Sequence, residues 1–417
     1  MHNLNNNFNK FLLLWSGELI SAIGSGLTSF GLGVYVFQQT GKASAMALVT
    51  LLAFTPALLL SAPAGVLADR YDRRLLMILG DGLSAAGLIF ILICIQRGEA
   101  QLWQICAGVT VSSMFSSLLE PAYKATVTDL LTPEQYAKAS GMVGVAGSAK
   151  YLISPVIAGF LLTVSDIRLL LIIDIFTFFV TVTATVVVRR GITSQPAGKK
   201  QSFILELKEG FEAVSHNRGV LILVLMGALI TLFLGVIQTL SAPMLLAFSD
   251  SATLGAAETI CAAGMLVSSV MIGVFSIKKN YAKILSASLF FAGIFMSVFG
   301  MRENILLICI SGFLFFAMLP YASSSLDYML RINIDNEFQG RAWGFIGVIS
   351  QLGYVAAYAG SGLLADSAGT ILGSGVGRGA GILIVIAGIL LSVTALVLYQ
   401  IKPVRQLESG GETCITL

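Results

Sequence analysis

Gly65-Val66-Leu67-Ala68-Asp69-Arg70-Tyr71-Asp72-Arg73-Arg74 is the stretch on which the fold turns. Ahead of it, residues 43–67 form an apolar window long enough to cross a bilayer as a helix, and residues 75–96 form another behind it. The charged decapeptide therefore joins two spans on one side of a membrane.

Working outward, the same alternation recurs. Apolar windows near 11–37, 43–67, 75–96, 102–127, 139–163 and 168–188 make six, and 220–248, 253–277, 281–300, 304–330, 342–365 and 380–401 make six more. Each satisfies its backbone internally as a helix, which is what the bilayer interior demands. The chain of 417 residues is 56% hydrophobic and 11% charged, against roughly 25% charged in soluble domains, so a water-soluble protein is excluded. The expectation is an all-α integral membrane protein with 12 transmembrane helices in two six-helix bundles.

Charge sets the orientation. With both termini cytoplasmic, nineteen of the 25 Lys and Arg fall in inner segments, five (Lys42, Arg97, Arg168, Arg302, Arg378) fall outside, and Lys150 lies within a span. That bias is the positive-inside rule, and it fixes the orientation. The net charge of +3 is scattered over short loops, so nucleic acid is not expected as a partner. Cys94, Cys106, Cys261 and Cys309 sit within apolar runs without metal-ligand spacing, so neither disulfide, metal nor cofactor is expected. Cys414 opens a C-terminal Cys-Ile-Thr-Leu that matches a prenylation box only superficially. Met1 to Lys10 runs into a long apolar stretch without a cleavage site and reads as a retained first span.

The polar stretch from Arg189 to Arg218 divides the chain. The expected domains are residues 1–190, a linker at 191–218, residues 219–402 and a tail at 403–417. Within the linker, Phe203, Leu207, Phe211 and Val214 recur at helical spacing, which predicts an amphipathic helix on the membrane surface or against the helix ends. The halves read as distant copies. Gly273 to Lys279 repeats a glycine-led helix end followed by cations, and Pro121 and Pro320 hold the same place in spans 4 and 10. Parallel halves of this kind place a binding site at their interface near the midplane.

The loop beginning at Gly65 resembles the signature between helices 2 and 3 of the major facilitator superfamily, with Asp72 where that family usually has Gly. Further stretches are similar to the bacterial drug:proton antiporter branch of macrolide-efflux and siderophore-export proteins. They are Met77 to Asp81, Glu120-Pro121-Ala122-Tyr123, Thr132-Pro133-Glu134, Ser154-Pro155, Glu209-Gly210-Phe211, Gly264-Met265-Leu266 and Gly340-Arg341. The resemblance implies a secondary exporter working by rocker-switch alternating access and exchanging protons for an amphipathic cargo. It also implies a conformational latch of Gly65, Asp69, Arg70, Arg73, Asp129 and Arg341. Physically, a carboxylate held by arginine donors and a helix N-terminus is a contact that closes and opens as bundles rock.

Ionisable residues inside spans are costly and so are functional candidates. They are Glu18, Asp81, Glu120, Lys150, Asp174, Glu258 and Asp327. Lys150 is the deepest, and its long stem suggests one buried cluster of Glu18, Glu120 and Lys150, the candidates for proton coupling; a permanent ion pair is the structural alternative. Asp81 and Asp174 are expected to hydrogen-bond to neighbouring helices or reach the interface. Phe30, Met114, Gln238 and Phe316 are candidate cavity-lining residues for a bulky amphipathic molecule. Gly141, Gly144, Gly147, Pro155 and Gly159 make span 5 a close-packing, bendable helix, which the resemblance associates with span 8 and with export. A siderophore or lysophospholipid is the alternative cargo. An enzyme is not expected, since His2 and His216 lack acid–base or metal partners at useful spacing, and a monomer is the expected state.

Overall fold

The computed structural model describes residues 2–189, 203–275, 277–335 and 338–407. Among them the chain forms α1 (His2–Thr40), α2 (Ala43–Arg70), α3 (Arg73–Gln96), α4 (Leu102–Ser116), α5 (Leu119–Leu130), α6 (Pro133–Leu152), α7 (Ser154–Val164) and α8 (Ile167–Arg189). Then follow α9 (Phe203–Ser215), α10 (Arg218–Leu246), α11 (Ser251–Val274), α12 (Tyr281–Met301), α13 (Ile305–Ile332), α14 (Gln339–Ile371), α15 (Gly375–Gln400) and α16 (Lys402–Gln406). No strand occurs among the described residues. Among the described residues twelve stretches are long and apolar enough to cross a membrane, and each coincides within a turn or two with a window read from the sequence.

Two of those spans are each built from two helices. Proline supplies no N–H, and its ring collides with the carbonyl four residues back. Pro121 meets Ser117 in this way, and α4 ends at Ser116; Pro155 meets Tyr151, and the break falls at Ile153. Pro320, its counterpart in the second half, stays inside the continuous α13. Before Pro121, Ser116 Oγ donates to the Ser113 carbonyl at 3.1 Å and Ser117 Oγ to the Met114 carbonyl at 2.6 Å.

Met1–Gly41, Leu48–Lys199 and Ser249–Thr259 form one compact unit; Lys42–Ala47, Lys200–Phe248 and Ile260–Leu417 form a second. The main division falls inside the segment 191–218 expected to join the halves, whereas the two short pieces group away from their chain neighbours. Residues 190–202, with most of the expected linker, and 408–417, with Cys414, lie outside the described residues.

In the first unit, α1 packs against α6, α7 and α8, and α3 against α4, α5 and α8. Phe11, Leu14, Met77, Tyr123, Leu130, Leu131 and Val188 form a buried cluster that binds the ends of α1, α3, α5 and α8. In the second, α12 packs on α13 and α15, and α10 on α14 and α15. Helix α9 belongs to this unit and lies against α14, with Val214 fully buried and Phe211 edge-on to Phe345 at 5.6 Å. Of the two placements expected for the amphipathic helix, it is therefore packed against helix ends.

Candidate functional site

The loop between α2 and α3 is held by two ion pairs. Arg73 Nη1 lies 2.6 Å from Asp129 Oδ1 on α5. The same guanidinium also donates to the Ala125 carbonyl through Nη1 and to the Ala68 carbonyl through Nε, both at 3.3 Å. Asp72 caps α3 by accepting from the Arg74 N–H at 3.1 Å, and its second oxygen accepts from Arg189 Nε at 2.9 Å. The residue that departs from the family's usual glycine thus ties the start of α3 to the end of α8.

The other expected latch residues are placed as follows. Arg70 is exposed in the last turn of α2, where a cation complements the helix dipole. A side chain added at Gly65 would meet nothing within 4 Å. The side chain of Asp69 lies outside those described. Arg341, at the start of α14, forms an ion pair with Glu209 of α9 at 3.0 Å. Close packing supports that pair, because a Cβ at Gly210 would fall 2.4 Å from the Arg341 carbonyl oxygen.

The charges within the spans are arranged differently from the cluster of Glu18, Glu120 and Lys150 expected from depth alone. Glu120 is not buried: it stands in the first turn of α5 with its side chain 75% exposed, paired with Lys124 at 2.6 Å. Within α5 Lys124 lies one turn beyond Glu120, the favoured spacing for an ion pair. Lys150 is half-buried, with its ammonium 6.0 Å from the Tyr151 ring centroid and within electrostatic reach of Asp174. Asp81 and Asp174 are each only 1% exposed. Asp174 Oδ1 accepts from Ser25 Oγ of α1 at 3.3 Å, the helix-to-helix bond expected of it. Glu18 is half-buried with Oε2 inaccessible. Glu258 belongs to the first unit, where the adjacent Thr259 donates through Oγ1 to the Leu152 carbonyl at 3.0 Å; Asp327, in the second unit, is exposed on α13.

The candidate lining residues fall singly. In the first unit, Phe30 is half-buried on α1 and Met114 is exposed on α4. In the second, Gln238 of α10 accepts from Tyr358 Oη at 3.1 Å, and Phe316 lies edge-on to Phe315 at 5.1 Å. Sequence reasoning missed Tyr358 and its neighbour Tyr354, 5.8 Å away, as well as Tyr123. Their signal was present only as tyrosines at helical spacing, which packing alone also produces. Among the described residues no three His, Cys, Asp or Glu side chains are placed to hold a metal ion.

Comparison with known proteins adds identity of a coarse kind. The model of the Major Facilitator Superfamily matches residues 14–249. Macrolide efflux protein A of Streptococcus pyogenes is 27% identical over 385 residues, covering 88% of this chain and 92% of that protein. Macrolide efflux protein A of Enterococcus faecalis is 27% identical over 326 residues, covering 74% of this chain and 98% of its own. The crystal structure of a bacterial homologue of the iron transporter ferroportin, in an inward-facing state, superposes with a TM-score of 0.74 at 14% identity. It covers 94% of this chain and 99% of the other, a likeness of fold.

Proposed function

Because the chain belongs to the Major Facilitator Superfamily, we propose that this multi-pass membrane transporter is a proton-coupled exporter of amphipathic small molecules of the macrolide type. It works by rocker-switch alternating access in the cytoplasmic membrane of a bacterium, with both termini inside. The observation that carries this reading is the likeness to macrolide efflux proteins over nearly the whole chain. The charge bias of the loops supports the orientation. A site that recognises bulky, largely apolar molecules needs adaptable packing and few polar groups, which agrees with a chain holding 25 Phe and 13 Met.

In this reading Glu18, Lys150 and Glu120 contribute to coupling, and Gly65, Asp69, Arg70, Arg73, Asp129 and Arg341 form the conformational latch. The pairing of Arg73 with Asp129 supports the latch, and the latch role of Arg341 requires release of Glu209. Phe30, Met114, Gln238 and Phe316 are assigned to the cargo path.

Expression in a macrolide-sensitive bacterium tests the function. The expected result is reduced accumulation of labelled erythromycin, restored to the level of control cells by a protonophore. Unchanged accumulation of erythromycin together with altered accumulation of a catecholate siderophore or lysophospholipid would replace the cargo. Export that persists with the proton gradient collapsed would remove the coupling.

A further inference from the structure

At the ends that the loop charges assign to the outer face, α1, α3, α7 and α8 enclose a half-open cleft of about 330 Å3, built from the first unit alone. That volume falls within the roughly 300–1,000 Å3 of small-molecule sites. We propose that the cleft holds the headgroup of a zwitterionic phospholipid, with the phosphate on Arg168 and Tyr35 and the ammonium on Glu99. Its floor is apolar and closed, since Val34, Ile95 and Ile167 are buried. Its polar groups come from separate elements that the packing of α1 and α3 on α8 brings together.

The donors are set by their own hydrogen bonds. Tyr35 Oη accepts from Gln39 Nε2 at 2.7 Å and from the Ala100 N–H at 3.3 Å. A hydroxyl that accepts twice still has its own proton to give, and here that proton is left for a ligand. Arg168 Nη2 donates to the Ile95 carbonyl at 3.3 Å, and its Nε lies 3.5 Å from Asp166 Oδ2. The other oxygen of Asp166 accepts from the Arg168 N–H at 3.0 Å. These contacts use Asp166 for positioning and leave the Nη1 amino group to bind. Two donors in one cleft, one of them cationic, select an anionic oxygen such as that of a phosphate.

The same cleft carries a carboxylate of its own. Gly98, with φ at 148°, makes the turn that precedes Glu99, and among the described residues no ion pair engages Glu99. A simple anion would be repelled by Glu99 and a simple cation by Arg168, whereas a molecule of both signs satisfies each. Gln38 and Ser165, exposed in the cleft, supply oxygens that accept from an ammonium. The surroundings favour a lipid over a free zwitterion. Helix α7 lines the cleft with Leu162 and, two residues to either side, leaves Phe160 and Val164 62% and 67% exposed, apolar surface that acyl chains would cover. At the outer end of α4, Trp103 is exposed with Nε1 donating to Gln101 Oε1 at 2.7 Å, the amphipathic placement typical of the headgroup level.

This inference depends on neither the cargo nor the coupling ion. Native mass spectrometry of the full chain in detergent, with phosphatidylethanolamine or phosphatidylglycerol added at equal concentration, tests it without transport. We expect one phosphatidylethanolamine to be retained per chain under conditions that strip phosphatidylglycerol. Arg168→Gln is expected to lower the retained fraction about tenfold, as loss of a charge-assisted hydrogen bond does, and Tyr35→Phe to lower it severalfold. Glu99→Gln, which removes the ammonium's partner, is expected to abolish the preference between the two lipids. Lys279→Gln, which removes an exposed cation of the second unit, is expected to change nothing. Melting temperatures in lipid-free detergent show whether each variant is folded, and Tyr35→Phe and Glu99→Gln carry the test if Arg168→Gln is not. Equal retention of both lipids by the wild-type chain, or a phosphatidylethanolamine signal untouched by the cleft variants, would overturn the site. Displacement of the lipid by an equal concentration of free phosphoethanolamine would overturn the lipid as its source.

Discussion

Asp72 stands where the superfamily usually carries glycine, and its two bonds explain what the larger residue does here. One oxygen caps α3 through the Arg74 N–H and the other holds Arg189. Asp72→Gly would restore the family's usual residue yet remove both contacts. Loss of an N-cap side chain to glycine costs a few tenths of a kcal/mol, and a half-exposed ion pair adds about 0.5 kcal/mol. A small fall in melting temperature of the purified protein in detergent is therefore expected, and a rise would contradict the pairing. The Arg73 guanidinium is more enclosed, with its side chain 14% exposed, and serves Asp129 and two carbonyls at once. Arg73→Lys keeps the charge and loses the planar fork, so the latch account predicts impaired efflux at normal expression. Wild-type efflux in Arg73→Lys would reduce Arg73 to a topology signal.

At the scale of the helix, the tightest backbone approach in the first unit is between α7 and the start of α11. A Cβ at Gly255 would fall 2.1 Å from the Pro155 carbonyl oxygen, and one at Gly159 would fall 2.4 Å from the Ser251 carbonyl oxygen. Backbone cannot yield as a side-chain tip can, so Gly255→Ala is expected to destabilise by about 1–3 kcal/mol. Gly273→Ala, in open space, serves as the neutral control in a detergent melting series. The span-5 glycines and Pro155 were legible as close-packing residues because small side chains advertise contact. The twelve spans were legible for a simpler reason, since length and mean hydropathy run along the chain and need no knowledge of neighbours. Which face a residue presents does need that knowledge. Depth along span 4 put Glu120 near Lys150, but its exposed side chain pairs instead with Lys124, one turn along α5. The same calculation passed over Tyr123, three residues further on, whose hydroxyl is buried. The linker helix was legible from its spacing, while its pairing of Glu209 with Arg341 was not. Glu209→Gln is expected to weaken the docking of α9 on α14, read as faster proteolysis between residues 190 and 215.

Across the whole molecule, membership of the superfamily and near-complete alignment with macrolide efflux proteins support a transporter rather than an enzyme. They leave the energy source to experiment, and the buried acids of the first unit supply a physical reason to look for protons. The most direct measurement places the purified protein in liposomes with a pH-sensitive dye inside and labelled erythromycin outside or inside. Antiport predicts that a proton gradient drives the macrolide uphill and that adding macrolide alone moves protons the opposite way. Erythromycin that crosses while internal pH stays constant would contradict the account, and the buried carboxylates would then be structural groups of the bundle.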